Sequence, residues 1–239
     1  MDKYNHQLIL STFAEKMDQI EKVSLITIYK NIPFSFDAFI LNSDKDIVLF
    51  KVHKYQLAAS ILVKDIYIQC DLFEEHIKAK VVKMNPVKLT IGLTDFAYSG
   101  DLRRRSSIRV EPDTSLIAYL QIQDTSVVAE IVDISVNGLT VYIDPLYLFS
   151  PEITPGKLSS KFEVRLKLPG EEIQSVHAKC AMRDVRKENL SGRYRIGLQL
   201  YPDKVIKEVL DRYVSSQQSR VLQEIKMLYE RSLAGGENR

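Results

Sequence analysis

The feature that most constrains the fold is a long series of short segments in which apolar and polar residues alternate. Alternation with a period of two predicts half-buried β-strands, and turn signals such as Asn85-Pro86 separate several of them. Many short strands favour small barrels, because closing a sheet removes its exposed edges. The sequence therefore predicts a mainly β chain. Strands are predicted at residues 24–29, 34–41, 46–52, 61–70, 77–84, 87–93, 108–110, 115–122, 127–134, 139–143, 162–168, 173–184 and 194–201.

Helices are predicted at both ends of the chain. Apolar residues recur at three- and four-residue steps within residues 5–22, which is typical of an amphipathic helix. Near the C-terminus, Pro202 precedes a helical pattern that Asp203 can cap and that runs to about residue 233. Between the strands, residues 55–60 fit a short helical turn.

The long C-terminal helix carries an apolar stripe with a seven-residue spacing. Val214, Val221 and Leu228 fall at this interval, which is typical of a coiled coil. The helix could therefore make an oligomer contact, or it could lie as an amphipathic helix on the N-terminal domain. The sequence leaves both readings open.

A domain junction is predicted at residues 96–101. This segment leaves the strand pattern and carries small residues together with Gly100. We expect an N-terminal helix and split-barrel-like domain over residues 1–98. Residues 99–239 would form a second barrel that ends in the long C-terminal helix.

Composition bounds the classes of protein that the chain can be. The 239 residues carry a net charge of only +2, too small to indicate bulk affinity for nucleic acid. Cys70 and Cys180 lie far apart without metal-ligand spacing, so we expect free thiols in a reducing compartment. No apolar run approaches the ~18 residues that a membrane span needs. A soluble cytoplasmic protein is expected.

Motifs typical of enzymes and of cofactor sites are missing from the sequence. The sequence holds no HExxH, GxSxG or GxGxxG pattern and no Walker A loop, and its four histidines are scattered. No nucleophile and base can be paired, so the chain is predicted not to be an enzyme. No cofactor and no metal are predicted.

A cluster of arginines stands at the entrance to the second half of the chain. Residues 103–109 read Arg-Arg-Arg-Ser-Ser-Ile-Arg, and an Asp-x-Ser-x-x-Gly pattern follows at Asp133, Ser135 and Gly138. Arginine forks suit phosphates and the O6/N7 edge of guanine, and a carboxylate can accept hydrogen bonds from the guanine N1 and N2 groups. Together the two patterns predict a pocket for an anionic guanine nucleotide.

Two further features of the sequence also have purely structural interpretations. Asn137-Gly138 is a good type I′ hairpin pair, so this segment is predicted to form the turn that also leaves room for a purine. A second basic group, near Asn189, is predicted to be a solvated rim. The less favoured interpretation is a surface that binds a protein or an acidic lipid. It consists of Arg183, Arg186, Arg193 and Arg195.

The paired motifs resemble those of PilZ domains, which are bacterial receptors for cyclic di-GMP. Arg105-x-x-x-Arg109 followed by Asp133-x-Ser135-x-x-Gly138 matches the RxxxR and [D/N]xSxxG pair of that family. Residues 192–200 resemble the strand that closes the PilZ barrel, and the likeness covers roughly residues 101 to 202. A PilZ domain behind an all-β N-terminal domain is similar to the YcgR-like flagellar-brake arrangement.

The resemblance implies a ligand, a set of binding residues and an output. Cyclic di-GMP would be bound by Arg105, Arg109, Asp133, Ser135 and Gly138, with Arg104 as a further candidate that favours a stacked pair of nucleotides. Arg103 is expected to be solvated. Binding would change the relative pose of the two domains and regulate a protein partner, with the flagellar motor as the candidate. The alternatives are a PilZ adaptor that acts mainly through protein contacts and a nucleic-acid-binding protein.

Overall fold

The computed structural model describes residues 3–99, 107–122, 125–147, 162–170, 173–189 and 191–234. Within these ranges the chain forms two closed barrels of six strands each, with a helix near each terminus. The predicted mainly β fold with two barrels is confirmed. The chain divides into two compact units: residues 1–106 together with 221–239, and residues 107–220. The predicted domain bounds, 1–98 and 99–239, stay a proposal.

The first barrel follows a helix and has the strand order β1-β2-β3-β6-β5-β4. Neighbouring strands are antiparallel throughout. Its elements are α1 (Lys3–Lys16), a 3₁₀ turn (Met17–Gln19), β1 (Val23–Tyr29), β2 (Ile32–Asp44), β3 (Ile47–Val52), α2 (Lys54–Leu62), β4 (Asp65–Gln69), β5 (His76–Asn85) and β6 (Thr90–Ser99).

Helix α1 contributes to the core of this barrel. Ile9 and Phe13 are fully buried and belong to the same apolar cluster as the inward residues of the strands. The Phe13 ring meets Phe50 edge-on at 6.3 Å and lies 5.8 Å from Phe96. Aromatic rings bury large apolar areas and favour such tilted contacts, so this cluster stabilises the helix against the barrel.

The second barrel has the strand order β10-β11-β12-β9-β8-β7. Alternate residues such as Val127, Ala129 and Ile131 face its core, as the period-two pattern predicts. Its elements are β7 (Ile117–Ile122), β8 (Thr125–Ser135), β9 (Gly138–Ile143), a 3₁₀ turn (Pro145–Tyr147), β10 (Phe162–Leu168), β11 (Gln174–Lys187) and β12 (Tyr194–Tyr201).

The long C-terminal helix, α3 (Lys204–Ala234), follows the second barrel. The predicted cap is present, since the Ile206 amide donates to Asp203 Oδ1 at 2.8 Å. Val214, Val221 and Ile225 are buried within the single chain. The end of the helix belongs to the first unit, where Glu224 accepts hydrogen bonds from Tyr29 and Lys30 of the first hairpin, both at 2.8 Å. These contacts favour a helix that packs on its own chain.

The sequence predictions for residues 61–70 and 108–110 need correction. Residues 61–70 do not form one strand, because helix α2 runs on to Leu62 and β4 begins only at Asp65. The helix is anchored by burial and by a hydrogen bond from Gln56 to Thr27 Oγ1 at 2.6 Å, which tertiary structure supplies and local pattern does not show. Residues 108–110 form no strand, and Val110 makes a single bridge to Ile134.

Candidate functional site

The centre of the site is Asp133, near the end of β8 on the outer face of the second barrel. The strand pairing shifts by one residue between Ile131 and Asp133, and a bulge of this kind re-aims side chains. The Asp133 side chain is only 3% exposed, and its Oδ1 accepts a hydrogen bond from Thr140 Oγ1 at 2.8 Å. A carboxylate this buried requires polar partners, because an unpaired charge inside a protein is strongly unfavourable.

Arg109 is the first charged partner of this carboxylate. The adjacent Val110 exchanges two backbone hydrogen bonds with Ile134, at 2.8 and 2.9 Å, and these fix the segment beside β8. Arg109 Nη1 then lies 3.7 Å from Asp133 Oδ1. This separation is longer than a hydrogen bond, so the pair is a looser ion contact. The structure therefore brings together one residue from each predicted motif.

Ser135 and Gly138 close the β8–β9 hairpin beside Asp133. The buried Ser135 hydroxyl donates to the Gly138 carbonyl oxygen at 3.2 Å. The turn itself consists of Val136 and Asn137, and Gly138 is the first residue of β9. Neither Asn137 nor Gly138 is among the residues of positive φ in the described ranges, so the predicted type I′ Asn-Gly turn is wrong.

The glycine at position 138 is explained instead by crowding. A Cβ atom there would lie 3.2 Å from Ser135 Oγ and 3.4 Å from the Leu198 carbonyl oxygen. The positive φ values that a type I′ turn requires occur elsewhere, at Lys30 and Asn31 between β1 and β2.

Arg195 is a second charged partner of Asp133. It lies on β12, in register with Tyr142, and its Nη2 lies 3.4 Å from Asp133 Oδ2. Its Nε is buried without a hydrogen-bond partner in the described part of the chain. The sequence predicts Arg195 in a solvated rim, because the strand pattern shows only that it faces outward. One signal in the sequence could have indicated that Arg195 lies at the site. It stands two residues before Gly197, in the strand predicted to close the barrel.

Arg193 has a separate set of contacts on the same edge. Its guanidinium pairs with Glu130 and lies over the Tyr142 ring, 4.5 Å from the centroid. The Tyr142 hydroxyl donates to Glu188, and this hydrogen bond, helped by burial, raises the tyrosine pKa. The charge of Arg193 is thus balanced by Glu130, and this arginine does not contact Asp133 in the described structure.

Two rows of outward-facing residues beside these polar groups include glycines. Across β8, β9 and β12, Asp133 is in register with Thr140, and Thr140 with Gly197. The next row runs from Ser135 through Gly138 to Gln199. Two glycines on adjacent strands leave little side-chain bulk there. A planar ligand could therefore approach the sheet next to the Asp133 carboxylate.

The other predicted contacts lie beyond the described ranges. Arg103, Arg104 and Arg105 all fall outside them, so the structure places only Arg109, Asp133, Ser135 and Gly138 of the predicted set. Among the described residues no group of three or more His, Cys, Asp or Glu side chains could hold a metal ion. None of the helices described is long and apolar enough to cross a membrane.

Fold and site together define a class of protein with two closed six-stranded barrels, the second of which carries a buried aspartate paired to arginines on its outer face. This second barrel is a PilZ domain: residues 103–216 match the PilZ domain family. The family resemblance drawn from the two motifs is therefore confirmed.

Similar proteins are known along nearly the whole chain. An uncharacterized protein of Aquifex aeolicus is 25% identical over 219 residues, which are 87% of this chain and 92% of the relative. The inhibitor of motility MotI/DgrA of Bacillus subtilis is 14% identical, with a TM-score of 0.43, over 84% of this chain and 97% of that one. YcgR of Escherichia coli, solved in complex with c-di-GMP, is 10% identical, with a TM-score of 0.44, over 94% and 95%.

Proposed function

We propose that the chain is a receptor for cyclic di-GMP that acts in the bacterial cytoplasm and carries out no catalysis. The observation that carries this proposal is the meeting of Arg109 and Asp133 on the outer face of the PilZ barrel, beside Ser135 and Gly138. Arg109 belongs to one PilZ motif and Asp133, Ser135 and Gly138 to the other, and more than twenty positions separate Arg109 from Asp133.

The ligand would engage the site by exchanging one ion contact for another. The 3.7 Å contact between Arg109 and Asp133 is too long for a hydrogen bond, and Thr140 and Arg195 still contact the carboxylate when it breaks. Arg109, together with Arg105 and Arg104, would then bind the phosphates and a guanine edge as bidentate donors. Asp133 would accept from guanine N1–H and N2–H₂, a donor pair that adenine does not offer.

Binding at this site supplies a way to signal. The arginines of residues 103–105 precede the part of the second barrel that the structure describes. A ligand held by them and by Asp133 would fix that connecting segment to the barrel and change the pose of the two units. The output would be contact with a protein partner, with motility control as the first candidate. Whether α3 also forms an oligomer would be measured on the same full-length protein.

Calorimetric titration of the full chain tests the receptor proposal. Cyclic di-GMP should bind with low-micromolar or tighter affinity, and GTP and cyclic di-AMP at least tenfold more weakly. Arg109→Ala should weaken this binding by about ten- to a hundredfold, and Arg165→Ala, at an exposed arginine on β10, should retain it. If the folded protein gives no binding heat, the receptor proposal is overturned, and the alternative of a PilZ adaptor that acts through protein contacts remains. Equal affinity for single-stranded RNA would indicate a nucleic-acid-binding protein.

Small-angle scattering tests the change of pose separately. The radius of gyration of the full chain should change at saturating cyclic di-GMP and remain unchanged in Arg109→Ala under the same conditions. An unchanged scattering profile of the wild-type chain at saturation would leave a binding module without a switch.

A further inference from the structure

The buried carboxylate of Asp133 has partners of two kinds. Thr140 and Arg195 lie on strands β9 and β12 of the barrel itself. Arg109 lies in the segment that precedes the first strand of this barrel. If a ligand draws Arg109 away, the two partners on the barrel are those that remain to hold the carboxylate. Asp133 is 3% exposed and cannot be left without a cation at low cost.

Arg195 is the cation that stays. Its backbone is fixed by pairing on both sides, to Tyr142 on β9 and to Arg186 on β11. Its guanidinium reaches diagonally from this row to the row of Asp133, where Nη2 lies 3.4 Å from Oδ2. Thr140 contacts the other oxygen, Oδ1, at 2.8 Å. The two barrel partners therefore bind different oxygens and define the plane of the carboxylate.

One donor of Arg195 is left unused. Its Nε is buried and has no hydrogen-bond partner among the described residues. A buried N–H without an acceptor is unfavourable, so an arrangement that supplies one is stabilised. Gly197 follows on the same outward face of β12 and adds no side chain next to this group. Arg195 therefore makes only part of its possible hydrogen bonds in this arrangement.

We propose that Arg195 is a positioning residue of this site, one that sets its preference for guanine. It would hold the Asp133 carboxylate oriented toward the guanine N1–H and N2–H₂ groups after Arg109 has moved to the ligand. This inference rests on the proposed function and adds to it a residue that lies outside both motifs.

The opposing possibility is that Arg195 only stabilises the barrel through its ion pair. A purely structural role predicts loss of thermal stability in a variant, with equal losses of affinity for guanine and adenine ligands. A positioning role predicts loss of discrimination between them. The ratio of affinities for cyclic di-GMP and cyclic di-AMP, measured on the full chain, therefore separates the two roles.

Three variants at two positions form the experiment. Arg195→Gln should weaken cyclic di-GMP binding at least tenfold and cyclic di-AMP binding less than threefold. Arg195→Lys keeps the charge but not the planar fork, and should recover less than half of the lost affinity on a logarithmic scale. Arg193→Gln, at the neighbouring arginine that pairs with Glu130, should bind like the wild type.

A double-mutant cycle with Asp133→Asn covers the case in which Arg195→Gln folds poorly. If Arg195 acts through Asp133, replacing Arg195 by Lys should reduce affinity less than threefold once Asp133 is Asn. Full loss in both backgrounds, or wild-type selectivity in Arg195→Gln and Arg195→Lys, would overturn the inference. These outcomes differ from failure of the receptor proposal, in which the wild-type chain itself binds no cyclic di-GMP.

Discussion

The Ser135 side chain occupies the space next to Gly138. Its hydroxyl donates to the Gly138 carbonyl oxygen at 3.2 Å, and a Cβ atom on the glycine would lie 3.2 Å from the same Oγ atom. The glycine and the serine of the motif are therefore one packed unit. A larger residue at position 138 would displace the serine, the Leu198 carbonyl oxygen, or both.

Gly138→Ala should therefore reduce both stability and ligand binding. Overpacking a closely packed site costs about 1–3 kcal/mol, and we expect the free energy of unfolding to fall by about 1 kcal/mol. Affinity for cyclic di-GMP should fall about tenfold, since 1.4 kcal/mol corresponds to that factor. Thermal unfolding and calorimetric titration measure the two effects.

Two variants control this experiment. In Ser135→Ala/Gly138→Ala the nearest obstructing atom is gone, so stability should recover in part while binding stays weak. Gly197→Ala adds a Cβ atom 3.5 Å from Asp184 Cβ, an ordinary van der Waals contact, and should unfold within about 0.5 kcal/mol of the wild type. Equal destabilisation at positions 138 and 197 would show that the crowding at Ser135 is not the cause.

Both cysteine side chains should react more slowly than a free thiol does. Burial raises the pKa of Cys180 to about 12 and also raises the pKa of Cys70. Because only the thiolate reacts, about one in ten thousand Cys180 side chains is reactive at pH 8. In native protein, labelling of Cys180 by a disulfide reagent should take hours, with Cys70 reacting first. In urea both should react at the rate of a free cysteine, and rapid native labelling of Cys180 would contradict its burial.

The contribution of the buried Cys180 thiol to folding stability depends on pH, and the direction of this dependence follows from its pKa. A raised folded pKa means that the folded state holds the thiol proton more tightly than the unfolded chain does. The contribution of Cys180 to stability is therefore complete below the unfolded pKa and is lost as pH rises from there to about 12. Cys180→Ala should remove this alkaline loss. Its stability at pH 7 relative to pH 10 would be measured by urea titration.

Glu224 should anchor the end of helix α3 to the first barrel. It accepts hydrogen bonds from Tyr29 and Lys30, whose backbone forms the tight turn between β1 and β2. The groups are partly exposed, so we expect Glu224→Ala to cost only about 0.5–1 kcal/mol. Hydrogen exchange over residues 221–234 should accelerate. Glu230→Ala, at an exposed residue of the same helix, should leave exchange unchanged.

The sequence predicts the barrels well, because alternation with a period of two is a local signal of inward and outward faces. It fails at α2, where residues 61–62 continue a helix held by a buried hydrogen bond from Gln56 to Thr27. That contact joins residues 29 positions apart, and no window of neighbouring residues contains it.

The site shows the same division between local and long-range information. The motifs place Asp133, Ser135 and Gly138 in one hairpin, and the structure brings Arg109 beside them through the bridge of Val110 to Ile134. The role of Arg195 depends on the order of strands in the sheet. Only the pairing of β12 with β9 brings this arginine within reach of Asp133, although 62 residues separate the two in the chain.

The arginines at the entrance to the PilZ domain should not be equivalent. Arg109→Ala and Arg105→Ala should each weaken cyclic di-GMP binding by about ten- to a hundredfold, because a bidentate arginine contact to guanine contributes roughly 1–3 kcal/mol. Arg103→Ala should change affinity less than threefold. Arg109→Ala should unfold near the wild-type temperature, since Arg109 makes only a 3.7 Å ion contact and Thr140 and Arg195 remain on Asp133.

Salt dependence distinguishes this site from a diffuse basic patch. If residues 103–109 act only through net charge, all three variants should lose similar affinity, and the loss should shrink as salt screens the charges. A site built from directed contacts predicts instead that Arg109→Ala stays at least tenfold weaker at 0.5 M salt, while Arg103→Ala binds like the wild type there. Titrations at 0.05 and 0.5 M salt decide between the two, and equal behaviour of all three variants would contradict the arrangement around Asp133.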